Sequence, residues 1–308
     1  MGKIFYQGGQ FDKTGYLLNL YADQRAYGNV FFVCSAVTGA TDSAGYGRSP
    51  DAPFATIAYA IGKCTANNDD LILVLPGHTE TCIAAGTVTV NKAGVTIRGC
   101  TPGGAHAPGW GRKAVVNYTT AAAASFDITA ANVTIDNLCF TPIGVDAVTA
   151  AINVSAADVA IVNCEFELAN STNQAALGIL TTASANRLFL SNNVFHGTSD
   201  AGTTAAVQIV GGDSIRIYNN TMKGAYTSGT GGLSNITTAS TNLEVYGNTI
   251  LNYTASSTKA FTAVSGTTGF HQGNSYGILS GTAPFTAADM YTFSNIYAAA
   301  VATTGTAC

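Results

Sequence analysis

The sequence predicts an all-β chain wound as a right-handed parallel β-helix of roughly seven to eight coils, closed at one end by a capping helix. Three observations lead there. A pattern of apolar, any, apolar, any, Asn, any, any, apolar recurs at a step near 27 residues. Each column of the resulting alignment keeps its own residue type. Helical periodicity is confined to one segment ahead of the repeats.

The pattern reads VTIDNLCF from Val133, VAIVNCEF from Val159, LFLSNNVF from Leu188, IRIYNNTM from Ile215 and LEVYGNTI from Leu243. A degenerate copy, FHQGNSYG, is set at Phe270, and a shorter one, VTIRGC, at Val95. First and third positions alternate with polar ones, the period of a half-buried strand. The eighth position stacks Phe140, Phe166, Phe195, Met222 and Ile250. The fifth holds Asn137, Asn163, Asn192, Asn219, Gly247 and Asn274. Asn and Gly tolerate a left-handed backbone, so this column marks a sharp turn at every level. Stacked Asn side chains can also hydrogen-bond along the stack. A second strand precedes the copies, as FDITA from Phe126, INVSA from Ile152 and VQIVG from Val207. Units this small cannot bury their own apolar faces, so neighbours stack into parallel sheets, and the rule for parallel crossovers favours right-handed winding.

Taken in chain order, residues 1–27 are aromatic and Gly-punctuated without periodicity, and are expected to form an arm, strapped along the coil or ordering on a partner. The capped β-helix domain is expected over 28–280. GNVFFVCSA reads as its first strand. PFATIAYAIGKC, near 53–64, puts Phe54, Ile57, Ala58 and Ile61 on one helical face, with Asp51 as N-cap and Pro53 in the first turn. This helix covers an end of the coil that would otherwise expose an unpaired strand edge. Leu71 to Leu75 follows as a strand, stopped by Pro76-Gly77. The step from Val95 to Val133 is 38 residues and must hold an insertion, TPGGAHAPGWGRK. From 281 to 308 the chain leaves the repeat as a closing segment, helix or strand.

Composition narrows the function classes. Of 308 residues 47% are apolar and only 10% charged, against about 25% charged in a typical domain. That apolar content argues against disorder. A net charge of −4 and a pI near 5.4 lack the basic footprint of a nucleic-acid binder. No apolar run reaches membrane-spanning length, so no membrane insertion is expected. The seven cysteines are widely spaced without a CxxC pair, which reads as buried free thiols rather than a zinc site, with Cys308 as a terminal thiol able to cross-link subunits.

Chemistry-bearing residues do not converge on the alignment. Asp136, Asp158, Glu165, Glu167, Asp213 and Glu244 fall in different columns or on distant coils, without the paired acids that hydrolysis needs. Asp158 lies beside Arg187 of the next coil, and Arg216 shares an outward column with Glu244, a surface pair worth under about 1 kcal/mol. The Asp69-Asp70 carboxylates point apart by strand alternation. His78, His106, His196 and His271 share no column, and His78 is expected to be solvated or loop-bonded. No catalytic residue, cofactor or metal is therefore expected. Tyr218 and Tyr246 occupy one outward column and Phe189 the neighbouring one, an expected glycan platform or subunit interface.

The Asn column and the stacked Phe residues resemble those of right-handed parallel β-helix proteins of the pectate-lyase-like superfamily, over roughly residues 28–280. The cap is similar to that of short β-helix proteins encoded by tailed phages and prophages among their virion genes. The fold hosts lyases, hydrolases, adhesins and spikes alike, so it does not imply an activity. The phage resemblance implies a non-enzymatic virion structural protein, a capsid decoration protein or short head or tail fibre. Such a protein would be made in the host cytoplasm, would contact other capsid or tail proteins, and would assemble as a homotrimer with residues 1–27 in attachment. The alternatives are a tailspike-like polysaccharide depolymerase and an adhesin that binds host surface glycans without turnover.

Overall fold

A computed structural model describes residues 27–100, 114–170, 172–197, 202–227, 230–255, 257, 259–279, 284–287 and 289–299, together with the antiparallel strand pair Gln10–Phe11 and Leu17–Leu18. Three parallel sheets of ten, nine and eight strands run side by side along the molecule. The chain visits them in rotation. One coil, for instance, is Thr134–Asp136 in the ten-stranded sheet, Cys139–Thr141 in the nine-stranded sheet and Ile152–Val154 in the eight-stranded sheet. This is an all-β, right-handed parallel β-helix whose levels span about seven turns. Each coil carries three strands, because the recurring motif is itself two strands broken at its Asn.

The breaks are left-handed residues. Asn137, Asn163, Asn192 and Asn219 have φ of 58, 55, 56 and 54°, and Gly247 continues the column at 66°. A second left-handed column stands just ahead of the inward strand residue. It comprises Gly94, Asn132, Asp158, Arg187, Ser214 and Asn242, all with φ between 53 and 75°. Such a backbone costs a non-glycine residue roughly 1–2 kcal/mol. It is held here because it turns the chain between sheets at each level.

The core fills the coil. The column Ile97, Ile135, Ile161, Leu190, Ile217 and Val245 is buried and in register through the ten-stranded sheet. Phe140, Phe166 and Phe195 stack with ring centroids 5.0 and 4.5 Å apart and planes within 12 and 7°. Met222 and Ile250 extend that stack. Offset ring pairs contribute about 0.5–1.5 kcal/mol each beyond the area they bury.

Beside the left-handed Asn column runs a buried Asn ladder. Asn193, Asn220, Asn248 and Asn274 are each at most 1% exposed. From Asn220 onward each side-chain oxygen accepts from the backbone and side-chain nitrogens of the Asn one coil before, Asn193 to Asn220 at 2.9 and 3.0 Å, Asn220 to Asn248 at 2.8 and 3.0 Å, Asn248 to Asn274 at 2.9 and 3.0 Å, while Asn193 accepts from Cys164 N at 2.9 Å. Asn295 takes the last place, accepting from Asn274 at 2.9 and 3.0 Å.

Asn274 is thus a ladder residue and not a turn residue. Val245 pairs with His271, so the copy set at Phe270 begins one residue earlier, at Gly269, and Gly273 (φ 62°) makes the turn. The slip reverses every side chain in that strand: His271 points into the core and Phe270 outward. Burial depresses the His271 pKa to about 4. Asn295 Nδ2 donates to His271 Nδ1 at 3.1 Å, which places the ring proton on Nε2, 2.7 Å from Thr292 Oγ1.

The expected cap is present, with different bounds. The helix is Ile57–Lys63, and its N-cap is Thr56, whose hydroxyl accepts from Tyr59 N, rather than Asp51. Pro53-Phe54 is extended because Phe54 bonds Phe32 and Cys34 through its backbone, in parallel with the first strand, Val30–Val33. Ile57, Ala60 and Ile61 are the helix residues buried on the core. The strand over 71–75 is Leu71–Val74, paired with Thr96–Gly99. Thr96 in turn pairs with Thr134, so the insertion between them leaves the stacking intact; residues 101–113 lie outside the described residues. The closing segment expected from 281 is itself coil. Phe285–Thr286, Tyr291–Phe293 and Ile296–Ala299 add one strand to each sheet, with a turn at Ser294 (φ 47°).

Candidate functional site

The surface that stands out is the outer face of the ten-stranded sheet. Alternation sends two columns outward, and toward the C-terminal end both become aromatic. One column runs Phe189, Arg216, Glu244, Phe270 and Tyr291; the other runs Ser191, Tyr218, Tyr246, Gln272 and Phe293. The expected trio is brought together: Phe189 lies 5.9 Å from Tyr218, and Tyr218 lies 5.9 Å from Tyr246, both edge-on. Phe270, Tyr291 and Phe293 prolong the strip and were missed at the sequence level. The first was set in an inward column, and the other two lie in the segment left undecided. At about 4.8 Å per level, five levels span on the order of 19 Å. Tyr246 is 45%, Phe293 51% and Tyr291 72% exposed, while Phe270 between them is half-buried. At the opposite end of the same face Phe32, Leu71 and Leu73 pack in a buried cluster with Cys34 and Leu75.

Each arginine on and beside the strip is paired with a carboxylate of a neighbouring coil. Arg216 Nε lies 3.4 Å from Glu244 Oε2, and the Tyr218 hydroxyl also donates to that carboxylate. Arg187 grips Asp158 with two hydrogen bonds of 2.6 and 2.7 Å, which lower the Asp158 pKa. The Asp213 pKa is lowered by hydrogen bonds from Thr241, Ser214 and Asn242. Further along, Arg98 Nε meets Asp136 at 2.7 Å.

Asp70, His78 and Glu80 have structural partners. Asp70 is buried; burial pushes its pKa up, but N–H donors from Thr65, Asn29 and Asn68 outweigh this and hold it low. His78 is buried and loop-bonded rather than solvated. Its Nδ1 accepts from Ser35 N at 3.0 Å, so Nε2 carries the proton and faces Glu80 Oε2 at 3.1 Å. The same oxygen accepts from Ile57 N at 2.7 Å, which ties the cap helix to the coil. His106 lies outside the described residues. An acid–base group at the surface stands on the nine-stranded sheet, where Glu165 and Glu167 share an outward face two residues apart. His196 lies 3.3 Å from Glu165, and Lys223 is the next residue in His196's column. Sequence placement had scattered these acids. His196 is half exposed, so water reaches the group.

Among the described residues no three of His, Cys, Asp and Glu are grouped to hold a metal ion. The six described cysteines carry no disulfide, and Cys308 lies outside the described residues.

No family model matches the chain, and no curated protein does. Two solved structures are similar to it. One is a rhamnogalacturonan lyase, 11% identical, with a TM-score of 0.46 over 82% of this chain and 76% of that one. The other is pectate lyase Pel9A, 12% identical, with a TM-score of 0.44 over 90% of this chain and 79% of that one. Likeness at this level concerns the coil and carries no chemistry over to this chain.

Proposed function

We propose that this chain is a non-catalytic glycan-binding rod, whose aromatic strip takes an extended polysaccharide along the coil axis. The observation that carries the reading is the in-register ladder of outward rings. Ring faces and edges present apolar surface to the C–H faces of sugars, while Gln272, Glu244 and Arg216 supply hydrogen-bonding groups between them. Stacking of this kind needs no cleft, and the strip is an open face. Incubation with bacterial capsular and lipopolysaccharide glycans should give binding without new reducing ends or unsaturated products. Tyr246→Ala should weaken binding about two- to tenfold, the range set by loss of one ring contact. Robust cleavage, or binding unchanged in the variant, would overturn the reading and, in the first case, favour a depolymerase.

A second reading is favoured by the exposed apolar rim at the last coil, where Ile296 and Tyr297 join Tyr291 and Phe293 at the surface. In it the chain is a virion structural protein, a capsid decoration protein or short fibre, and three copies bury the strip against one another around a closed axis. A trimer mass in light scattering and recovery of the chain from purified particles by mass spectrometry would support it. A clean monomer absent from particles would remove it.

A further inference from the structure

We infer that the aromatic strip selects neutral polysaccharides over acidic ones; this rests on the glycan-binding reading above and names its substrate class. Charge complementarity sets this selection. Between Phe189 and Tyr291 the two outward columns contain one cation, Arg216, and one anion, Glu244, and these are paired at 3.4 Å. Glu244 also accepts from the Tyr218 hydroxyl, so the carboxylate is fixed beside the rings. On the flanking turns Arg187 is engaged by Asp158, while Asp213 is held ionised by Thr241, Ser214 and Asn242 and acts on Arg187 from the other side. Two guanidinium groups therefore face four carboxylates over the strip and its turn edge, the fourth being Asp289 in the turn before Tyr291. A uronate chain laid along the rings would bring its carboxylates against a surface of net negative charge, with its cations already committed. Each such approach costs Coulomb energy that stacking must offset. A neutral chain of hexoses meets the same rings and hydrogen-bonding groups without that cost.

Native electrophoresis in gels containing soluble polysaccharide separates the outcomes, run at low ionic strength where screening is weakest. The probes are mixed-linkage β-glucan and galactomannan as neutral chains, polygalacturonate and alginate as acidic ones. Wild-type protein should be retarded by a neutral chain and not by the acidic ones, and Tyr246→Ala should lose retardation about two- to tenfold. Glu244→Gln, which releases Arg216 and shifts the face by one positive charge, should begin to retain polygalacturonate. Retention of an acidic chain by the wild type that is lost in Tyr246→Ala would overturn the neutral selection and leave the strip as the binding face. Retention of no chain, or retention that Tyr246→Ala leaves untouched, would overturn the glycan-binding reading with it.

Discussion

Replacing Asn220 by Ala tests what holds the coils in register. Its side-chain amide takes part in five hydrogen bonds. The oxygen accepts from Asn193 N and Asn193 Nδ2 at 2.9 and 3.0 Å, and the nitrogen donates to Leu190 O, Tyr218 O and Asn248 Oδ1, each at 3.0 Å. Asn220 is 1% exposed, so water does not replace the lost partners. A typical hydrogen bond contributes about 0.5–1.5 kcal/mol net, and a buried group left unsatisfied costs about 1–3 kcal/mol. Some of the five share a proton or an acceptor, and the Asn193 backbone N–H is the group most clearly stranded. The expected loss is therefore about 3–5 kcal/mol. Equilibrium urea unfolding followed by far-ultraviolet circular dichroism measures it, with Thr221→Ala, half-buried on the neighbouring strand, as the control. A loss below about 1 kcal/mol, indistinguishable from the control, would refute the claim that the ladder carries stability.

Two further outcomes follow from groups away from the strip. Folded protein treated with a thiol alkylating reagent should leave Cys82 and Cys164 unlabelled, since burial pushes both thiols up to about 12 and thiolate is the reactive form; peptide mass spectrometry showing either labelled without unfolding would count against this. His271, held near 4 by burial against about 6.5 in the unfolded chain, binds its proton in the unfolded state first. Its contribution to stability is intact above about pH 6.5 and is lost as pH falls toward about 4; thermal midpoints should fall across that window, less steeply in His271→Gln, and an identical slope in both proteins would refute the assignment.

The sequence by itself determined the coil. Five copies of one pattern place Ile135, Ile161, Leu190, Ile217 and Val245 inward and Asn137, Asn163, Asn192 and Asn219 at left-handed turns, and each of these is where the pattern put it. Such positions are legible because the same local chemistry recurs at every level. What only the tertiary structure decided is register where the pattern weakens. The copy near Phe270 admits two alignments one residue apart. The one adopted keeps Asn274 on the Asn248 ladder, at 2.9 and 3.0 Å, and accepts a buried His271 as the consequence. Because side chains in a strand alternate with period two, that single residue turned Phe270 outward, and with Tyr291 and Phe293 of the last coil it doubled the aromatic strip. The His78–Glu80 contact that fastens the cap was hidden for a different reason. Its third partner, the backbone N–H of Ile57, comes from a helix whose docking is long-range, and no local pattern encodes a hydrogen bond across 23 residues of chain.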